Sequence, residues 1–356
     1  MAGLPPEEKQ RIEELFEVQL ITGRTVPPPE MAPWLRSHFG SEKAVREQHI
    51  VRVRNRWTGE GTLFSSLRAR RPVDPGPLGP SVAFEDCAFC HAETGTPAEP
   101  WGRVRGEHAV SGANAAKYDG QHGVLVFDRH DPLAFDEATI VDLLHLGRAW
   151  TERAHEADPE ASAYLLIWNC GQRAGGSIEH GHAQVLLGRP PHYARVERMR
   201  SDSVAYASAI GRSYPDDLVA AHASVGLAIE PAPAVHVVAS LTPIKERELL
   251  IVGPAGSDER EPHFARTVAR TVVAYRDNLG VRAFNLALWR PPLDPEMAGR
   301  DGWEQIGPIV HIVDRGNPAS VASDVGAMEL FAASVVGSDP FDTIRDLRAA
   351  LAQTPA

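Results

Sequence analysis

The sequence predicts an α+β fold in which two copies of a strand, helix, strand, strand unit build a mostly antiparallel sheet, with helices packed outside it and a helical extension at the N-terminus. Three observations carry this. Apolar runs of strand length recur in two sets, at 123–127, 164–168 and 185–187, then at 249–252, 284–289 and 309–313. One segment of helical periodicity interrupts each set, at 136–156 and at 262–279. Most neighbouring strands are joined by short turns, which suit hairpins and not the long crossovers that parallel pairing needs.

Taken in order, residues 6–20 place Ile12, Leu15, Phe16 and Leu20 at helical spacing among charges. The amphipathic helix this implies, ahead of Pro27-Pro28-Pro29, defines an extension over 1–47. A first repeat, 48–205, opens on the alternation of Ile50-Val51-Arg52-Val53-Arg54, turns at Thr58-Gly59-Glu60-Gly61 and resumes at Thr62-Leu63-Phe64, a hairpin. A Pro- and Gly-rich loop follows, then Cys87-Ala-Phe-Cys90 and the strand 123–127, which ends at Asp128-Arg129-His130-Asp131-Pro132. The helix at 136–156 aligns Ile140, Leu143, Leu144 and Trp150 on one face, and the strand 164–168 leads into a turn carrying Gly171, Gly175 and Gly176. Beyond that turn His180, His182 and Gln184 occupy every second position, so on a strand all three project from one face. The second repeat, 206–356, has its strand at 247–252, a helix striped by Phe264, Val268, Val272 and Tyr275 with a stop at Gly280, and strands at 284–289 and 309–313.

Composition narrows the function. The chain has 356 residues, 43% hydrophobic and 23% charged, the balance of a folded globular protein. It has no bilayer-length apolar stretch, and Met-Ala-Gly-Leu-Pro-Pro-Glu-Glu lacks the features of a secretory signal, so a cytoplasmic protein without a membrane partner is expected. A formal charge of -11 argues against broad nucleic-acid binding. Against that background Arg54, Arg56, Arg68, Arg70 and Arg71 form a local positive cluster sized for a diphosphate. Three cysteines are too few for a disulfide framework, so Cys87 and Cys90 read as a metal or redox pair and Cys170 as a small buried residue.

Two thiolates and two imidazoles complete a tetrahedral zinc site, and Cys87, Cys90, His130 and His180 supply such a set, with His91 and His122 as competing ligands. A site with ligands so far apart in sequence ties together a fold that already exists. His182, one step along from His180, carries a neutral imidazole at pH 7 and suits attack on phosphorus. Gln184 can donate an N–H to a phosphate oxygen but cannot supply a proton to a leaving group, which favours nucleotidyl transfer between phosphates over hydrolysis. Asn169 and Ser177 flank the glycine turn and are placed to orient the α- and β-phosphates.

These residues resemble the galactose-1-phosphate uridylyltransferases and their phosphorylase relatives, a branch of the histidine-triad superfamily. The pattern Asn-x-Gly, then Gly-x-Ser-x-x-His-x-His-x-Gln, is met without a gap by Asn169, Gly171, Gly175, Ser177, His180, His182 and Gln184. Asn55-Arg56-Trp57-Thr58-Gly59-Glu60 and Ser66-Leu67-Arg68-Ala69-Arg70-Arg71-Pro72 resemble the family's N-terminal strand pair, and Cys87, Cys90, His130 and His180 match its zinc ligands. The resemblance implies two histidine-triad-like repeats and a ping-pong nucleotidyltransferase in which His182 attacks the α-phosphorus of a nucleoside diphosphate sugar and passes the nucleotide to a phosphorylated acceptor. It places Arg68 and Arg71 on the phosphates, puts Asn114 and His122 in family-like positions, and assigns the sugar hydroxyls to Glu329. A phosphorylase using free phosphate and a non-catalytic, zinc-stabilised nucleotide-binding protein are the alternatives, and a homodimer is the family's usual assembly. The chain departs from the family at Gly181, usually proline. Leu288 and Ile309 stand where a second metal would need histidines, so one zinc is expected. Ser323, Asp324 and Met328 replace a Lys-Phe pair and an aromatic residue, which points to a sugar other than galactose.

Overall fold

The computed structural model describes residues 3–67, 87–320 and 322–353. The strands are β1 (Phe16–Arg24), β2 (Glu47–Asn55), β3 (Gly61–Phe64), β4 (Ala109–Ala113), β5 (Gln121–Phe127), β6 (Ala163–Cys170), β7 (His182–Gly188), β8 (Ala228–Ala232), β9 (Val235–Ala239), β10 (Glu246–Val252), β11 (Phe284–Trp289), β12 (Ile309–Asp314) and β13 (Ser334–Val336). The helices that matter to the site are α1 (Pro6–Leu15), α2 (Glu137–Ala157), α3 (Ala194–Ile210), α4 (Tyr214–Ser224), α5 (Pro262–Asp277) and α6 (Ala327–Phe331).

Nine strands form one sheet in the order β4-β5-β7-β6-β11-β12-β10-β9-β8, and all its neighbouring pairs are antiparallel. Read from the middle, β6-β7-β5-β4 on one side mirrors β11-β12-β10-β9 on the other. The two repeats therefore meet at the β6–β11 pairing, with Leu166 opposite Leu288 and Ile167 opposite Ala287. The long helix of each repeat, α2 and α5, lies on the same face of the sheet and packs against its counterpart. This is the α+β architecture that the repeated pattern implies.

Side-chain alternation divides the sheet faces. Leu125, Leu166, Trp168, Val185, Leu187, Leu288, Val310 and Ile312 point toward the helices and join Ile140, Leu143, Leu144, Trp150, Phe264, Val268, Val272 and Tyr275 in one core. Asp136 starts α2 by accepting the Thr139 N–H at 2.9 Å, and Glu261 does the same for α5 through Phe264. Trp150 is fully buried, so Trp150→Ala would cost about 3–5 kcal/mol by the usual penalty for large core deletions. The opposite face is left to His182, Gln184, Ile167, Ala287 and His311.

The helix expected over 6–20 ends at Leu15. From Phe16 the chain is extended and pairs with β2 over nine residues, Phe16 with Asn55 through Arg24 with Glu47. The β-branched Val18, Ile21 and Thr22 favour this, and the ladder satisfies backbone groups that an isolated helix would leave to water. Ile12, Leu15 and Phe16 stay buried against Tyr206, Tyr214 and Ala221, whereas Leu20 is 72% exposed. The expected hairpin is present as β2 and β3, and β13 joins β3 in parallel to complete a four-stranded sheet, β1-β2-β3-β13.

Candidate active site

The turn before β7 is compact because glycine lets backbone approach backbone. A Cβ on Gly176 would lie 2.9 Å from the Asn169 carbonyl oxygen. Gly181 stands over the ring of Phe127, where a Cβ would come within 2.6 Å of Cδ2. Its glycine is thus required by packing, which accounts for a residue that departs from the family pattern.

Cys87, Cys90, His130 and His180 come together with their ligand atoms all within 4.8 Å of one another. Cys90 Sγ lies 3.2 Å from His130 Nδ1 and 3.5 Å from His180 Nδ1, and Cys87 Sγ lies 3.6 Å from His180 Nδ1. A small tetrahedral cation with ordinary S and N bond lengths separates such atoms by about 3.6 Å, so the set fits one without rearrangement. His180 donates its Nε2–H to the Phe127 carbonyl at 2.9 Å, which leaves the Nδ1 lone pair facing the thiols. Desolvation and the adjacent Cys87 push the Cys90 thiol up to about 11. A coordinated cation reverses that by binding the thiolate. His91 and His122 are not in the cluster.

His182 is buried and its Nδ1–H donates to the His180 carbonyl at 2.7 Å. That bond fixes the tautomer, so Nε2 holds a lone pair, and burial lowers the pKa of the ring and keeps it neutral. Phe89, between the two cysteines, stands edge to face against both rings, at 5.9 Å from His180 and 5.0 Å from His182. The two histidines therefore share one side of the strand. The backbone carbonyl of His180 orients the imidazole of His182.

Gln184 is oriented from β5. His122, fully buried, accepts the Tyr118 N–H at Nδ1 (3.0 Å), so its Nε2–H donates to Gln184 Oε1 at 2.9 Å. Asn114 Nδ2 also donates to Gln184 Oε1, at 3.4 Å. Its 3.2 Å approach to His122 Nε2 brings two donors together and is not a hydrogen bond. With its carbonyl taken, Gln184 presents only its amide N–H groups to whatever lies beside His182. Sequence reasoning placed His122 and Asn114 near the site but missed this function. The signal available was the alternation of His122, Val124 and Val126, a strand facing the histidine row.

The other sequence candidates are spread more widely. Asn169 Oδ1 accepts from Asn285 Nδ2 at 2.7 Å, Arg315 donates to Asn285 Oδ1, and Asp324 holds Arg315 through two bonds of 2.7 and 2.8 Å. This polar chain crosses β6, β11 and β12 next to the turn. Ser177 is exposed on the turn itself. Glu329 accepts the Gly326 N–H at 2.8 Å at the start of α6 and lines an open cleft of about 940 Å³ with Arg173, Lys245 and Arg315. Arg68 and Arg71 lie outside the described residues. No helix of the described residues is long and apolar enough to cross a membrane.

The nine-stranded sheet is built from two like halves, and one of them carries a Cys2His2 cluster beside a row of histidines. The fold is that of the GalT-like uridylyltransferases. An ADP-glucose phosphorylase from Arabidopsis thaliana, solved with bound ADP-glucose, is 16% identical with a TM-score of 0.64, over 85% of this chain and 98% of that one. A GalT-like protein from Arabidopsis thaliana is 17% identical, TM-score 0.60, over 78% of this chain and 98% of that one, and a uridylyltransferase is 17% identical, TM-score 0.59, over 86% and 100%. No protein-family model and no curated protein matches the sequence.

Proposed function

We propose that the protein is a nucleotidyltransferase that moves a nucleoside monophosphate unit from a nucleoside diphosphate sugar to a phosphorylated acceptor through a covalent nucleotidyl-His182 intermediate. The observation that carries this reading is the His182 Nδ1–H bond to the His180 carbonyl, which leaves Nε2 as an oriented nucleophile beside the Gln184 amide. The Nε2 lone pair attacks the α-phosphorus and forms an N–P bond. The P–O bond to the β-phosphoryl oxygen breaks, and its electron pair leaves with the sugar phosphate. That leaving group is a weak base and needs no proton. Nδ1–H stays on the ring, and the His180 carbonyl stabilises the resulting positive charge. An acceptor phosphate oxygen then displaces Nε2 and restores the neutral ring.

Gln184 donates its amide N–H to the non-bridging oxygens, and Asn114 acts through it. Arg68 and Arg71 take the phosphates, Asn169 and Ser177 the turn side of the diphosphate, and Glu329 the acceptor or sugar. We assign zinc to Cys87, Cys90, His130 and His180. Bound there, it would supply a fixed charge that holds the Cys87–Cys90 turn and His130 against His180. Free phosphate as acceptor, the chemistry in the name of the ADP-glucose phosphorylase neighbour, would change only the second half-reaction.

The test is a panel of α-phosphate-labelled nucleoside diphosphate sugars, followed by denaturation and a search for acid-labile label on the protein. Wild type should retain label, and chase with a sugar phosphate or with free phosphate separates the two acceptors. His182→Ala should abolish labelling with folding and zinc content nearly unchanged, while His180→Ala should lower both zinc content and thermal stability. Label retained in His182→Ala excludes His182 as the nucleophile, and no label from any donor excludes the reaction and leaves a non-catalytic binding protein.

A further inference from the structure

The open face of the large sheet continues past Gln184 into the second repeat, where it floors a partly open chamber of about 460 Å³. That is within the usual range for small-molecule sites. Ile167 stands opposite Gln184, Ala287 opposite Ile167, His311 opposite Ala287 and Leu250 opposite His311, so one row of the sheet leads from the candidate active site across the chamber floor. Helices α3 and α4 roof it, and the β2–β3 turn closes one side.

The walls are mainly apolar, and the charged groups that face inward are acidic. Glu248 is 4% exposed and satisfied, with Oε1 at 3.0 Å from His311 Nδ1 and Oε2 accepting the Ile244 N–H at 3.0 Å. Glu60 is reachable by water yet enclosed by protein on most sides, as befits a group that faces a cavity; its carboxylate has a 3.4 Å bond from the Thr58 hydroxyl. Asp202, on α3, has its buried Oδ2 in a 3.7 Å ion pair with Arg198 Nε and accepts no shorter hydrogen bond there. Burial raises the pKa of both Glu60 and Asp202. Arg195 and Arg198 also line the chamber; both are exposed, and Arg195 offsets part of the effect of burial on Glu60.

We propose that this chamber is a second ligand site, for a small apolar molecule bearing a protonated amine, and that it is separate from the His182 chemistry. The apolar floor accepts the body of such a ligand. Its ammonium group gives Glu60 and Asp202 a closer charged donor than the Thr58 hydroxyl and Arg198 supply, whereas a neutral ligand displaces water from those carboxylates without replacing it and an anion adds repulsion to that cost.

The probes are 2-phenylethylamine, the neutral 2-phenylethanol and the anionic 3-phenylpropionate, titrated into the full chain by calorimetry. The amine should bind about tenfold or more tightly than the alcohol, the increment of one charge-assisted hydrogen bond, and the carboxylate should not bind. Glu60→Gln should erase the preference for the amine, Ala287→Phe should fill the floor and remove binding, and His182→Ala should change neither. If Ala287→Phe fails to fold, Glu60→Gln decides. Equal binding of amine and alcohol, amine binding that survives Glu60→Gln, or no saturable binding of any probe overturns the proposal.

Discussion

At the residue scale, the site works by giving each polar side chain one committed hydrogen bond, so that only the useful atom is left over. His182 spends Nδ1–H on a carbonyl and keeps Nε2; Gln184 spends its carbonyl on His122 and keeps its amide. His122→Phe should therefore release Gln184 to rotate. It should slow nucleotidyl transfer by about ten- to a hundredfold, somewhat less than loss of a direct transition-state donor, with protein labelling slowed and not abolished. Gln184→Leu should cost at least as much. Single-turnover labelling rates compare them, and a His122→Phe protein that labels at the wild-type rate removes His122 from this function. The histidine row and the Cys-x-x-Cys pair were legible in the sequence because period two and a two-residue spacing are local patterns. The His122 contact was not, since it joins residues 62 positions apart that meet only through the β5–β7 register.

At the scale of elements, a cation held by the Cys2His2 cluster would fasten three separate pieces of chain: the Cys87–Cys90 turn, the segment after β5 through His130, and the approach to β7 through His180. Chelation should lower the melting temperature and should release Phe89 from the histidine rings, which chymotryptic cleavage after Phe89 can follow. No change in melting temperature after complete metal removal would mean that the cluster holds nothing together. Gly181→Ala tests the packing at the same point. The added methyl meets Phe127, and overpacking of this kind costs about 1–3 kcal/mol, measured as a lower denaturation midpoint together with reduced labelling. The strands and long helices of both repeats were readable from periodicity. The β1 strand was not, because Ile12, Leu15 and Phe16 fit a helical stripe that runs on to Leu20, and only the presence of β2 as a partner turns the chain extended after Leu15.

For the whole molecule, several buried histidines are built to be neutral. His192 accepts the Tyr193 N–H at Nδ1 and donates Nε2–H to the Tyr164 carbonyl, and His222 accepts the Leu241 N–H at Nε2 and donates Nδ1–H to the Leu218 carbonyl. Burial lowers both to about 4. The unfolded chain then binds protons that the folded chain refuses, so stability is complete above the unfolded value of about 6.5 and falls as pH drops toward 4. Each contributes up to about 3 kcal/mol at full shift. Urea midpoints should decline between pH 6.5 and 4, and His222→Gln should flatten part of that slope; a midpoint independent of pH in this window contradicts it. The overall architecture was legible because the second half repeats the order of the first. The chamber was not, since its walls come from the N-terminal hairpin, both repeats and two helices that no single stretch of sequence brings together.

The parallel pairing of β13 with β3 also sets a timetable. During synthesis the first seventy residues emerge long before Ser334–Val336, so β3 has an unpaired edge for most of translation. A ribosome-bound intermediate that lacks the last strand should leave the β13-facing edge of β3, where the Ser65 N–H donates to the Val336 carbonyl, open to hydrogen exchange and to chaperones that bind extended segments. Protection there should arrive only with the C-terminal residues.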